Sequence, residues 1–297
     1  MTSAPNPFRA PVRWPAEAIW QAVVPLLPGF TVEVLPQVDS TNSELMRRCR
    51  AASLAALSLS ASGSTAAPEA ILLVAEHQHA GRGRLGRQWQ SQAGASLTFS
   101  IGLPLQPANW SGLSLAVGVS LAESLEPANG KPPTLQLKWP NDLWLEQRKL
   151  GGILVETASW GDQRYVVIGV GLNVTLPEED FSPAASSDFD DPQGHRPMAA
   201  TSLQALWPGV DAAWALQTVA APLVKAVLDF ERDGFAPFRP RFAARDALAG
   251  RWVKLSDGTE GTACGVGTLG ALRVETRHSM QDISSLEVSV RPADNQR

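Results

Sequence analysis

Apolar residues fall first at helical and then at alternating spacing along this chain. Trp14, Ile19, Trp20, Val23 and Leu27 share one face of a predicted helix over 14–27, and TVEVLPQV at 31–38 has the look of a short strand. Thr41 followed by Glu44 is a capping-box pattern that opens a helix through Arg50, so Ser40 and Thr41 sit where a strand hands over to a helix N-terminus. Further strands are predicted at 71–76, 96–103, 134–139, 142–145, 151–157 and 164–172, with helices at about 111–125 and from about Asp211 to Arg232. Beyond 249 the pattern shortens to RWVKL, TACGV, ALRVET and LEVSV between Gly and Asp turns, which predicts a separate small β-barrel. Strands with interspersed helices predict an α/β or α+β fold, the latter as a mixed β-sheet with flanking helices. The expected division is an N-terminal extension over 1–30, a main domain over 31–248 and the small C-terminal barrel over 249–297.

Two stretches break the pattern. Residues 51–67, AASLAALSLSASGSTAA, are uncharged but interrupted by serines, and are expected to be a helix tail running into a flexible surface insertion. Residues 177–200 are rich in Pro, Ser and Asp and are expected to form a long loop or a disordered insertion.

Composition narrows the function classes. A chain of 297 residues, 44% hydrophobic and 18% charged, suits about two ordinary globular domains. Its formal charge of −4 supplies no cationic field for DNA or an anionic membrane surface. Cys49 and Cys264 stand far apart without a CxxC, and the histidines are few and scattered, so neither a disulfide framework nor a zinc site is expected. With no signal-like N-terminus and no apolar run of about eighteen residues, a cytoplasmic location and no membrane span are expected.

Candidate chemistry concentrates in two segments. Gly81-Arg82-Gly83-Arg84-Leu85-Gly86-Arg87 follows the strand ILLVAE, and from His77 to Ala122 there are three arginines and no Asp or Glu. Glycines let backbone approach a ligand, and guanidinium forks match phosphate or carboxylate oxygens in pairs. The same run spells the dinucleotide-binding G-x-G-x-x-G, which would make the chain a nicotinamide-dependent oxidoreductase. That reading needs a helix opening within the glycines and an acid about twenty residues on, whereas QWQSQAG is a poor helix and the next acid is Glu123. The second segment is Lys138-Trp139-Pro140-Asn141-Asp142-Leu143, with Lys149-Leu150-Gly151-Gly152 close behind. It gathers lysines for phosphate charge, an amide for a base or ribose, and a carboxylate for Mg²⁺ or an amine. Taken alone, it also reads as a Pro-Asn-Asp turn flanked by snorkelling lysines.

Together these segments resemble the biotin protein ligase (biotin–[acetyl-CoA-carboxylase] ligase) family. The match runs in order through Ser40-Thr41-Asn42, Gln78 with Gly81-Arg82-Gly83-Arg84, Gly86-Arg87 and Trp89, Lys138 to Leu143, Arg148 to Leu154, and Gly169-Val170-Gly171-Leu172-Asn173. It extends to the helix near 211–232 and to the terminal unit beginning Gly250-Arg251-Trp252. The resemblance implies a sheet similar to class II aminoacyl-tRNA synthetases followed by an SH3-like barrel. It also implies the monofunctional class, without an N-terminal DNA-binding domain. The implied reaction joins biotin to ATP as biotinyl-5′-AMP, with Mg²⁺, and transfers biotin to a lysine of the biotin carboxyl carrier protein of acetyl-CoA carboxylase. A monomer or a homodimer fits equally.

The resemblance also implies roles. Ser40, Thr41, Gln78, Gly81, Arg82, Lys149, Gly152 and Gly169 would bind biotin, while Arg84, Arg87, Trp89, Lys138, Asn141, Asp142 and Asn173 would bind ATP. Lys149, Arg82, Arg84 and Asp142 would carry catalysis, with Asp142 either holding the metal or orienting the incoming lysine. The loop 81–89 would close over the adenylate and exclude water. Lipoate or octanoate ligases share the fold but should lack the GRGRxGR and Lys-Trp-Pro-Asn-Asp blocks. A non-enzymatic regulator would require the loss of Lys149, Arg82 or Asp142, and all three are present.

Overall fold

A computed structural model describes residues 12–59, 69–126, 131–160, 163–176, 199–284 and 290–292. Its elements are α1 (Ala16–Val23), β1 (Thr31–Val38), α2 (Thr41–Leu59), β2 (Ile71–Gln78), β3 (Ser96–Pro104), α3 (Leu113–Leu125), β4 (Leu135–Lys138), β5 (Asp142–Leu145), β6 (Arg148–Trp160), β7 (Gln163–Asn173), α4 (Leu203–Leu206), α5 (Ala212–Asp233), α6 (Arg239–Ala243), β8 (Trp252–Leu255), β9 (Glu260–Val266), β10 (Leu272–Glu275), β11 (Met280–Ile283) and β12 (Val290–Pro292).

Seven strands form one mixed sheet in the order β1-β2-β3-β7-β6-β5-β4, in which β1 and β2 run parallel and every other neighbour is antiparallel. Alternation along the strands sorts side chains between two faces. Leu97, Phe99 and Ile101 of β3 enter the main core with α1, α3 and α5, whereas Leu73 of β2 and Val167 of β7 pack with Leu45, Met46 and Cys49 of α2 on the opposite face. Fully burying one such leucine stabilises the fold by about 1.5–3 kcal/mol. Helix α5 is long and apolar enough to cross a membrane by length and composition, but half of its most apolar stretch is buried inside the protein.

The start of α2 departs from the predicted capping box. The helix begins at Thr41, and the Ser40 hydroxyl accepts the Ser43 N–H at 3.5 Å. Glu44 pairs with Arg47 and Arg48 instead of reaching back. Arg47 also grips Asp39 with two nitrogens, which holds that carboxyl down at about 2. Helix α1 is shorter than its pattern predicts, and β6 is longer. Residues 60–68 of the first expected insertion and 177–198 of the second lie outside the described residues.

The second sheet is antiparallel, in the order β11-β10-β9-β8-β12. Among the described residues β11 and β12 do not pair, so this sheet is open where a closed barrel was expected. Val253, Leu255, Ala263, Leu272 and Val274 of this sheet belong to the same continuous core as the first sheet. The buried Trp139 indole donates to Gly270 O at 3.0 Å, and Leu137 of β4 exchanges backbone hydrogen bonds with Arg245 and Ala247. The segment leading to Asn141 and Asp142 is therefore seated on the C-terminal sheet.

Candidate active site

A cleft with about 880 Å³ of empty space, open to solvent, lies on the α2 side of the large sheet, bounded by the N-terminus of α2, the β2–β3 loop and β5, β6 and β7. The loop is a closed hairpin. Gly83 N–H donates to Arg87 O at 2.7 Å, and Trp89 N–H donates to Gly81 O at 2.9 Å, with a single 3-10 turn at Arg84–Gly86. Gly81 is required there, since a Cβ would lie 2.2 Å from Trp89 O. No helix opens from the glycines, and the next element, β3, returns antiparallel to β2. The parallel crossover unit of a dinucleotide fold is therefore missing here, which overturns the oxidoreductase reading.

Charge in the cleft runs opposite to that of the chain. Arg82, Arg84, Arg87, Lys138 and Lys149 line it against the single carboxylate of Asp142. Asp142 Oδ1 lies 2.8 Å from Lys149 Nζ, and Oδ2 lies 3.8 Å from Lys138 Nζ. Lys138 is almost fully buried, with its ammonium 5.5 Å from the centroid of the Trp144 ring. Burial pulls the Arg84 guanidinium below its usual value against the opposing pull of Asp142, and its Nη1 meets Asn141 Oδ1 at 3.4 Å. A cluster of cations partly out of water is an anion site, because charge interactions there are screened less than at the surface.

The other end of the cleft is neutral and hydrogen-bonded. Gln78 Oε1 accepts the Thr41 backbone N–H at 2.7 Å and lies 3.1 Å from the Thr41 hydroxyl. Ser100 Oγ lies 2.7 Å from Thr41 Oγ1 and 2.6 Å from Asn42 Oδ1, and Asn42 Nδ2 donates to Leu154 O and to Glu156 Oε2. The floor is glycine because side chains crowd it. A Cβ on Gly169 would lie 2.1 Å from Asn42 Oδ1, and one on Gly171 would lie 2.4 Å from the Trp89 ring.

Of the residues singled out from sequence, Ser40, Thr41, Gln78, Arg82, Arg84, Arg87, Trp89, Lys138, Asn141, Asp142, Lys149, Gly152 and Gly169 line this one cleft. Gly81 and Asn173 do not. Gly81 closes the hairpin behind it, and Asn173 Nδ2 donates to Thr201 O at 3.1 Å and Lys149 O at 3.4 Å, fixing backbone behind Lys149. Asn42, Ser100 and Glu156 were not singled out as site residues; Asn42 sits inside the first motif, but nothing in the sequence near Ser100 or Glu156 signals their place. Lone Asp142, paired to an ammonium, is a poor ligand set for a protein-held Mg²⁺. Among the described residues no group of three His, Cys, Asp or Glu side chains could hold a metal ion.

The biotin/lipoate A/B protein ligase family model matches residues 49–173. The chain is 35% identical over 278 residues to the bifunctional ligase/repressor BirA of Escherichia coli, covering 90% of this chain and 76% of that protein. It is 41% identical over 165 residues to the biotin–[acetyl-CoA-carboxylase] ligase of Mycobacterium tuberculosis, covering 54% of this chain and 55% of that protein. The fold matches the biotin protein ligase of Aquifex aeolicus in complex with biotin and ATP, with a TM-score of 0.65 at 28% identity over 88% of this chain and 99% of that one. By motifs, fold and this likeness, the chain belongs to the biotin protein ligases of the biotin/lipoate A/B protein ligase family.

Proposed function

We propose that this chain is a biotin–[biotin carboxyl carrier protein] ligase that works in two steps on one cleft. A biotin carboxylate oxygen attacks the α-phosphorus of ATP, the bond between the α-phosphorus and the bridging oxygen breaks, and pyrophosphate leaves biotinyl-5′-AMP. An uncharged lysine amine of the carrier then attacks the acyl carbon, AMP leaves with the C–O bond electrons, and the surplus amine proton passes to solvent. The juxtaposition that carries this reading is five cations and one carboxylate, Asp142, lining one cleft beside a hydrogen-bonding floor.

The first step brings two anions together, so its main demand is charge stabilisation on the transferring group. Arg82 and Lys149 are assigned to the biotin carboxylate and the α-phosphate, and Arg84, Arg87 and Lys138 to the phosphates, with Trp89 and Asn141 on the nucleotide side. Ser40, Thr41 and Gln78 face the ureido ring, a neutral bicycle that needs paired polar groups in an otherwise apolar pocket. Asp142 is read as the group that orients the carrier's amine. Mg²⁺ enters as part of the nucleotide substrate. Asn173 supports Lys149 from behind instead of touching nucleotide. The carrier is taken to be that of acetyl-CoA carboxylase, and the location cytoplasmic. The divisions 1–30, 31–248 and 249–297 and the SH3-like, synthetase-like description of the two sheets stand as part of the same proposal.

Biotin-dependent ATP–pyrophosphate exchange on the purified protein tests the reading. Exchange with biotin alone supports it; exchange with lipoate moves the chain to the sister branch, and exchange with neither removes it.

A further inference from the structure

We infer that Glu156 is a positioning residue for Arg82, holding one nitrogen of that guanidinium so that the rest of its fork is presented to the bound anion. The inference rests on the assignment of Arg82 to the biotin carboxylate and α-phosphate.

Glu156 lies on β6, behind the cleft. Arg82 Nη1 is 3.0 Å from Glu156 Oε1 and 3.2 Å from Oε2, and 3.4 Å from Ser43 Oγ. Every contact falls on Nη1, and among the described residues Nη2 and Nε of Arg82 are unengaged. This sets Arg82 apart from three two-pronged arginine pairs elsewhere in the fold. Arg48 gives both Nη1 and Nη2 to Glu33, Arg47 gives both to Asp39, and Arg241 gives Nε and Nη2 to Glu123. A two-pronged pair consumes the fork, whereas a one-nitrogen contact fixes the guanidinium and leaves a donor edge for a second anion. With Arg82 half exposed, a long side chain without that contact would sample many rotamers before meeting its ligand.

The same carboxylate continues inward. Glu156 Oε2 accepts from Asn42 Nδ2 at 3.0 Å, and Asn42 Oδ1 meets Ser100 Oγ at 2.6 Å. The Ser100 hydroxyl proton serves Asn42 Oδ1, which has none of its own, and Ser100 also touches Thr41 at 2.7 Å. Glu156 is thereby oriented by the residues that form the neutral floor, and the Arg82 position is referenced to the floor on which the ring would sit.

The test is a double-mutant cycle of wild type, Glu156→Gln, Arg82→Gln and the pair, read by biotin-dependent pyrophosphate exchange with thermal unfolding in parallel. Gln keeps an acceptor for Asn42 and removes the negative charge that faces Arg82. Exchange by wild type with biotin checks the underlying assignment on its own; if it is missing, that assignment fails whatever Glu156 does. Given wild-type exchange, Glu156→Gln is expected to lower kcat/KM about tenfold with an unchanged Tm, and to cost under about twofold in the Arg82→Gln background. Unchanged kcat/KM, losses that multiply in the pair, or a lowered Tm that accounts for the loss would each overturn the inference. A gain in exchange would also overturn it, since it would make Glu156 a latch that withholds Arg82.

Discussion

Asp142 and Lys149 meet at 2.8 Å across neighbouring strands, an ion pair in which the lysine reaches back past Gly152 to the carboxylate opposite that glycine. A Cβ on Gly152 would come 3.4 Å from Lys149 Nζ and 3.6 Å from Asp142 Oδ1, so the backbone there is open to the pair. The two charges serve different steps in the proposed reaction and should separate on mutation. Lys149→Met is expected to lower biotin-dependent pyrophosphate exchange by about 10²–10³-fold, the usual effect of removing a charge-stabilising donor. Asp142→Asn should leave exchange within about tenfold of wild type and slow biotin transfer to the carrier by more than that. Equal losses in both half-reactions would remove Asp142 from amine orientation.

Local chemistry made much of this site legible in the sequence. The arginines and glycines of 81–87 and the run from Lys138 to Asp142 act within a few residues of one another, so their types and spacing point to an anion-binding segment and to an edge of the sheet. What could not be read depends on strand pairing. Ser100 faces Asn42 only because β3 lies beside β7 under α2, and Glu156 reaches Arg82 across 74 residues. Asn173 ends the last motif, yet its amide is used behind Lys149, a matter of which way one side chain turns at the end of β7. Glu44 had the right spacing for a capping box and was claimed by Arg47 and Arg48, two charged partners one turn on. Alternating short strands led to a barrel, whereas the described strands form an open sheet, because alternation tells that strands form and not whether the edges pair.

Gly169 faces Asn42 so closely that alanine has no room. The added Cβ would lie 2.1 Å from Asn42 Oδ1 and 3.2 Å from Nδ2, and Asn42 is held by Leu154, Glu156 and Ser100. Gly169→Ala is expected to cost about 1–3 kcal/mol of stability, as overpacking does in a fixed interior. It should also weaken biotin binding, because the displaced amide carries the floor with it. Thermal unfolding and biotin titration calorimetry check this, and an unchanged Tm with unchanged affinity would contradict the crowding argument.

Glu126 and Arg245 form a buried pair away from the cleft, at 2.8 Å. Burial pushes the Glu126 carboxyl up, but the Arg245 guanidinium and the N–H groups of Leu135 and Thr134 outweigh it, and the group stays below its ordinary value. A depressed carboxyl gives its full stability above the unfolded value of about 4.3 and loses it as pH falls through the folded one. Arg245→Met should therefore destabilise by about 3–5 kcal/mol at neutral pH, since it strands a buried charge. The gap from wild type should narrow on acidification below about pH 4. Urea unfolding of both proteins at pH 7 and at about pH 3 decides it; a gap that does not change with pH would mean Arg245 acts through packing alone.

The Trp144 ring lies beside the Lys138 ammonium, while its own polar atom meets no acceptor among the described residues. The ring is buried, its Nε1 has no hydrogen-bond partner among the described residues, and the Lys138 ammonium sits 5.5 Å from its centroid beside Asp142. A desolvated ammonium over an indole face gains about 0.5–2 kcal/mol, which corresponds to about 2- to 30-fold in a dissociation constant. Trp144→Phe keeps an aromatic face and loses no hydrogen bond, so ATP affinity should stay near wild type. Trp144→Leu removes the face and lets Lys138 turn toward Asp142, which lies 3.8 Å away and would neutralise the charge proposed to meet phosphate. ATP titration of the two variants separates a role of the ring face from one of bulk alone: if leucine binds ATP as well as phenylalanine does, the indole face does not set the position of Lys138.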